Sequence, residues 1–120
     1  MTESGFFNTD QVDDTLVVAP KGDIGSLDEA RVGEECDQLL VRLSRQNAKH
    51  VLLDLDKVTY FGSKLLEWLI RVRRKLKESA GRLGICSPSA TGLKVLKTAK
   101  FDSLLPIYST LDEGLKAHRS

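Results

Sequence analysis

The chain has 120 residues, the size of one domain with a sizeable core, and its 18 basic residues against 17 acidic ones leave a formal charge of +1. That balance excludes an overall basic surface as the basis for nucleic-acid or anionic-membrane binding, and no apolar run approaches the roughly 20 residues that cross a bilayer. Residues 1–10 carry neither the basic nor the apolar region of a signal peptide, so the expectation is a cytoplasmic protein with no membrane and no nucleic-acid partner.

In chain order, Phe6 to Val12 is a weak strand pattern, and "TLVVAPKG" from Thr15 to Gly22 is a stronger one that stops in the turn residues of "KGDIGS". The two predict a hairpin closed through Asp13 and Asp14. Ser26 and Glu29 form a capping box, after which Leu27, Ala30, Val32, Cys36, Leu39, Leu40 and Leu43 recur at helical spacing to about Arg45. "HVLLDLDKV" is continuously apolar in its first half, the pattern of a strand covered on both faces. "TYFGSKLLEWLIRVRRKLK" then opens a second amphipathic helix near Ser63, and "RLGICSP" is the next buried strand, stopped by Pro88. "SATGLKVLKTAK" reads as a third helix, "LLPIYS" as a last strand and "TLDEGLKAHRS" as a closing helix. Strands alternating with helices imply crossover connections. The expected fold class is therefore α/β, a single domain over 1–120 with a mostly parallel sheet of four to five strands and about four helices, residues 1–14 being its weaker edge.

At about 100° per residue, Leu65, Leu69, Val72 and Leu76 of the second helix share a narrow stripe that predicts its core face. Glu67, Arg71, Arg74 and Glu78 lie opposite, in solvent. On one shoulder Ser63 is in line with Leu66, Ile70 and Lys77; on the other Trp68 is expected half-buried. Serine is a preferred N-cap because its oxygen accepts a backbone N–H, so Ser63 is either a cap or a presented hydroxyl. Leu66 and Ile70 are correspondingly either a core edge under a loop or a contact surface.

Cys36 and Cys86 lie far apart, without CxxC spacing or a neighbouring histidine, and sit at the apolar period of their segments; they read as buried small hydrophobes, with no metal site. "YFGSKLL" lacks the second glycine of G-x-S-x-G, and neither "GSKLL" nor "GLKVLKT" has Walker A spacing, so no enzyme activity and no cofactor are indicated. His50 and His118 are expected in ordinary surface roles. The run "RVRRKLK" spreads around its helix between Glu67 and Glu78 without interleaved aromatics, which reads as a solvated face able to steer an acidic protein partner. Asp23 and Asp28 add charge beside the glycines of "GDIGSLDEA".

Three stretches together resemble the STAS domain, the family of the anti-sigma factor antagonists: "VLLDLDKVTYFGSKLLEWL", "ESAGRLGICSPS" and "LKTAKFDSLLPIYSTLDEGLKA", with "KGDIG" fitting the family's early glycine-acidic turn. The resemblance runs from about Leu16 nearly to the end and implies a STAS-like fold. In the family an Asp-Ser-Ser/Thr-Gly-Leu-Gly segment opens the second helix and its first serine is phosphorylated, a role that carries over to Ser63. The family's aspartate is Gly62 here, the following residue is Lys64, and the next glycine is Leu65.

The resemblance implies a partner-switching regulator of transcription that binds an anti-sigma factor or related serine kinase when unphosphorylated and releases it when Ser63 is phosphorylated, with a phosphatase resetting the serine. The partner surface is expected from Gly22, Asp23, Ile24 and Gly25 of the turn together with Gly62, Ser63, Lys64, Leu66, Glu67 and Ile70. A phosphate adds about −1.5 to −2 charges, which the helix N-terminus tolerates and an apolar or acidic partner surface does not. Gly62 and Lys64 support an alternative, a STAS scaffold or sensory interaction module that is not phosphorylated.

Overall fold

The computed structural model describes residues 2–3, 7–22, 29–45 and 48–119. Strands β1 (Thr2–Glu3), β2 (Phe7–Val12) and β3 (Thr15–Pro20) lead into helix α1 (Glu29–Arg45). Strand β4 (His50–Asp54), helix α2 (Ser63–Lys77), strand β5 (Leu83–Cys86) and helix α3 (Ala90–Thr98) follow. A 3-10 turn at Phe101–Ser103, strand β6 (Ile107–Tyr108) and helix α4 (Leu111–Arg119) complete the order. Phe6, the Asp23 to Asp28 turn and the Ser26 end of the capping box lie outside the described residues.

The six strands of the described residues form one sheet in sequence order. β2 and β3 pair antiparallel around the Asp13–Asp14 turn, with Val12 opposite Thr15 and Asp13 in the left-handed region at φ 54. A two-residue hairpin needs such a conformation, and aspartate accepts it more readily than most side chains. β3, β4, β5 and β6 are mutually parallel, each joined to the next through a helix, as the alternating pattern implied. The edge strand β1, two residues long, is an addition that no sequence period marked.

Strand alternation sends residues to two faces. Val18, Leu53 and Ile85 join Leu39, Trp68 and Leu69 in the main apolar core under α1 and α2. Leu52 and Cys86 face the other way, onto α4: a Cβ built on Gly114 would lie 2.6 Å from Cys86 Sγ and 3.1 Å from Leu52. A glycine is what lets that helix settle on the sheet. The stripe Leu65, Leu69, Val72 and Leu76 is buried as predicted, and burial raises both cysteine thiols to about 12, the range of inert core sulfurs.

Three expectations are corrected. Trp68 is only 2 % exposed, not half-buried, because α1 packs over it and the indole N–H donates to the Cys36 carbonyl at 3.1 Å. His50 is buried rather than at the surface: the Arg82 amide donates to its Nδ1 at 3.0 Å, so the neutral ring carries its proton on Nε2, 3.7 Å from an Asp14 carboxylate oxygen. His118 is buried too, its ring centroid 5.3 Å from that of His50, where the missing side chain of Gly84 leaves room beneath α4. Among the described residues no helix is long and apolar enough to cross a membrane, and no group of three His, Cys, Asp or Glu is placed to hold a metal.

Candidate functional site at the start of the second helix

The chain leaves β4 and is held tightly until Ser63. Leu55 N–H donates to the Cys86 carbonyl at 2.9 Å, Val58 N–H to that of Leu55 at 3.0 Å, and Asp56 N–H to the Asp54 side chain at 3.1 Å. Val58 and Phe61 are each 3 % exposed and pin the loop to the core. Ser89, the N-cap of α3, donates its hydroxyl to the Thr59 carbonyl at 3.1 Å and accepts from Gly92 N–H at 3.0 Å. Phe61 packs on Gly92 so closely that a Cβ there would meet its ring at 3.1 Å. The loop therefore presents Ser63 from a fixed platform.

The N-cap of α2 is Gly62, at φ −105 and ψ −172, and Ser63 is the first helical residue. Ser63 is not the cap: one residue too far into the helix, its exposed hydroxyl makes no hydrogen bond among the described residues. Leu65 N–H closes a tight turn to the Gly62 carbonyl at 3.2 Å, while the amides of Ser63 and Lys64 have no acceptor among the described residues. The first turn holds no acidic side chain, and Lys64 stands next to the serine, 3.5 Å from Glu67. Free amides, the positive end of the helix dipole and a lysine together make a local environment that favours an added anion.

Around Ser63 the expected surface is partly present. Lys64 and Glu67 are exposed, and Ile70 is 43 % exposed, unusually open for its size. Ile70, Lys64, Glu67 and Arg71 border a depression of about 490 Å³ between α2 and α1, with Asp37 across it 2.6 Å from the Arg71 guanidinium. Leu66 is different: it is half-buried against the core, so it supports the surface from beneath more than it offers contact. Gly22 follows β3 and is half-buried; because β3 and β4 are parallel, it and Ser63 leave the sheet at the same carboxyl-terminal edge. Asp23, Ile24 and Gly25 lie outside the described residues. Tyr60, 54 % exposed just before the helix, was missed by sequence reasoning; an aromatic in a short polar loop beside the serine was its only signal.

Comparison with a family model now matches the STAS domain over residues 6–114. The chain belongs to the STAS domain family. Among solved structures, an anti-sigma factor antagonist from Mycobacterium paratuberculosis superposes with a TM-score of 0.79 at 22% identity, covering 95% of this chain and 93% of that one. An anti-sigma-factor antagonist (STAS) domain protein from Planctomyces limnophilus gives 0.77 at 26% identity, covering 95% and 98%. The anti-sigma factor antagonist SpoIIAA of Bacillus, at 17% identity, gives 0.76 in its unphosphorylated form, covering 94% and 96%, and 0.66 in its phosphorylated form, covering 92% and 97%. No curated protein matches this STAS domain by sequence. At these identities the superpositions show a common fold with anti-sigma factor antagonists.

Proposed function

We propose that this STAS domain is a partner-switching antagonist: with Ser63 unmodified it holds an anti-sigma factor or related serine kinase, and with Ser63 phosphorylated it lets that partner go. The observation that carries this reading is the exposed Ser63 hydroxyl on the first turn of α2, without a hydrogen bond among the described residues and following an anchored loop, at the position the family phosphorylates. The ATP chemistry belongs to the kinase; the antagonist supplies an acceptor hydroxyl and a recognition surface. Ile70, Glu67, Lys64 and Tyr60 form that surface with Gly22; Asp23, Ile24 and Gly25, expected to contribute, lie outside the described residues. A phosphate added at Ser63 stands at the start of the helix face that carries Ile70 two turns on, where a partner's apolar or acidic side chains would have to desolvate it. Truncating or mismatching a buried charge costs on the order of 2–5 kcal/mol, and each 1.4 kcal/mol is about tenfold in affinity.

A second reading keeps the fold and drops the phosphate. It is favoured by Gly62, which puts no carboxylate beside the hydroxyl, and it makes the domain a scaffold that pairs with other regulators. One experiment separates the two. Wild type, Ser63→Ala and Ser63→Asp are used as parallel baits in a lysate of the native host, and bound proteins are identified by mass spectrometry. Partner switching requires a small serine kinase with wild type and Ser63→Ala and its loss with Ser63→Asp. Equal retention by all three baits, with no phosphate on Ser63 of the protein isolated from the host, transfers the conclusion to the scaffold.

A further inference from the structure

The outward face of α1 and α2 carries a depression on either side of one ion pair. Asp37 of α1 and Arg71 of α2 are 2.6 Å apart and border both depressions. On the Ser63 side lies the space of about 490 Å³, floored by Cys36 and Trp68 and edged by Gly33 and Ile70. On the far side a second, of about 470 Å³, lies between Leu40 and Val41 of α1 and Arg74, Lys75 and Glu78 of α2. The two helices therefore run side by side in the same direction. Val41 is 51 % exposed and Ile70 43 %, both unusually open for their size. A Cβ on Gly33 would meet nothing within 4 Å, so α1 offers a gap on one side of Asp37 and an open valine on the other.

The charges of this face reverse sign about the same ion pair. At about 100° per residue, Lys64, Glu67, Arg71, Lys75 and Glu78 share a stripe of α2 about 80° wide. Lys64 and Glu78 stand seven residues either side of Arg71, Glu67 and Lys75 four either side, and each pair is of opposite charge. On α1, Gly33 and Val41 stand four residues either side of Asp37. Turning a second copy by 180° about an axis that lies across both helices at the bridge lays α1 antiparallel on α1 and α2 antiparallel on α2. That one rotation sets Lys64 opposite Glu78, Glu67 opposite Lys75 and Val41 opposite Gly33, each contact made twice. Lys75 and Glu78 have no ion-pair partner among the described residues, and Arg71, which meets its own copy at the axis, is neutralised by Asp37.

A face of one sign fits any partner of the other sign; a face whose charges reverse about its own centre fits itself. We propose that this face is the contact of a symmetric dimer and that its occupant is a second copy of this chain, with Val41 of each copy seated in the Gly33 depression of the other. Two helices about 20 Å long and about 10 Å wide cover on the order of 500 Å² per copy, the small end of specific interfaces, so the dissociation constant is expected on the order of 100 µM. Lys64, Glu67 and Ile70 also belong to the proposed partner surface. Dimer and partner therefore exclude each other, a consequence that rests on the partner-switching reading, whereas the dimer itself does not.

The test is sedimentation velocity of the full chain at low salt, over a concentration series that reaches about 1 mM. The mass is expected to rise from that of the monomer towards twice that value, and to rise less in high salt, which screens exposed pairs. Val41→Glu, at an exposed position, is expected to weaken association at least tenfold. Glu67→Lys and Lys75→Glu, each of which sets like charges opposite one another twice, are expected to weaken self-association about tenfold. Mixing these two variants decides the register, because the mixed dimer regains both opposite-charge pairs and is expected to return to wild-type affinity. A chain that stays monomeric throughout, its face left to some other protein, overturns the proposal. So does a dimer that Val41→Glu leaves intact, or a mixture that associates no better than its components. No arm involves a kinase or a phosphate on Ser63, so failure here leaves the partner-switching reading as it stands.

Discussion

His118 makes acid stability of this STAS domain a quantitative matter. The ring is buried, and burial first, with the nearby His50 and Arg82 charges next, pushes it from 6.5 down to about 4. Between those values the unfolded chain binds a proton that the folded chain refuses, so stability is complete above about pH 6.5 and falls as pH drops towards 4. At 1.36 kcal/mol per unit the full loss is about 3 kcal/mol, and integration between neutral pH and about pH 5 gives about 2 kcal/mol. His118→Phe removes the titration and two nitrogens without partners while keeping a ring against Tyr108 and Gly84. Urea unfolding, followed through the single tryptophan, measures both proteins at each pH. The variant should be at least as stable as wild type at neutral pH, with the gap widening by about 2 kcal/mol by about pH 5. The depressed His50 and the Asp54 carboxyl, which burial raises and which therefore opposes the acid loss, are present in both chains and largely cancel in the difference. Parallel stability curves would show that the folded protein admits the proton freely, and the burial argument for His118 would be wrong.

Ser63→Asp should leave stability unchanged or raise it by about 0.3–1 kcal/mol, because a carboxylate gains at a helix N-terminus whose first turn has no acid; thermal unfolding checks this, and a loss beyond 1 kcal/mol would mean that Ser63 is a structural residue after all. Gly114→Ala should destabilise by about 1–3 kcal/mol, since its Cβ would press on Cys86 Sγ, and Cys86→Ala in the same chain should recover part of the loss. Gly33→Ala on α1 meets nothing within 4 Å and should stabilise by about 0.5–1 kcal/mol in the same urea assay. Trp68→Phe should cost about 2–4 kcal/mol, because it opens a space under α1 and removes the indole hydrogen bond to the Cys36 carbonyl; an unchanged midpoint would refute that packing.

The order of elements was legible because each carries its own period. Leu65, Leu69, Val72 and Leu76 are spaced for one helix face, and "VLLD" is the run of a strand covered twice, so local pattern and tertiary burial agree. Spacing alone left Ser63 open as a cap or a presented hydroxyl, because it does not tell which of two adjacent residues takes the extended cap geometry; in the structure Gly62 takes it. The two histidines were misplaced for a different reason. His118 continues the helical spacing of Leu111, Gly114 and Leu115, a period the sequence reading did not extend into the last turn; its burial is completed by Gly84, 34 positions away, and by a neighbour in His50 that only the fold supplies. Tyr60 looked like one more loop residue because exposure is decided by the anchors on either side of it, Val58 and Phe61.

α2 runs from Ser63 on its first turn to Lys77 on its last, about 20 Å apart at 1.5 Å per residue. Transmission along it would require a second arrangement that both ends bias. Its stripe of Leu65, Leu69, Val72 and Leu76 is at most 4 % exposed, and Trp68 ties it to α1 by a buried hydrogen bond. A helix seated in that way has no cheap alternative register, because moving it by a fraction of a turn drives several leucines out of close-packed sites at once. On the partner-switching proposal, a phosphate on Ser63 would act where it stands, changing the charge at the start of α2 and leaving the core as it was, so the energy that releases a partner would come from the partner's own surface meeting that charge.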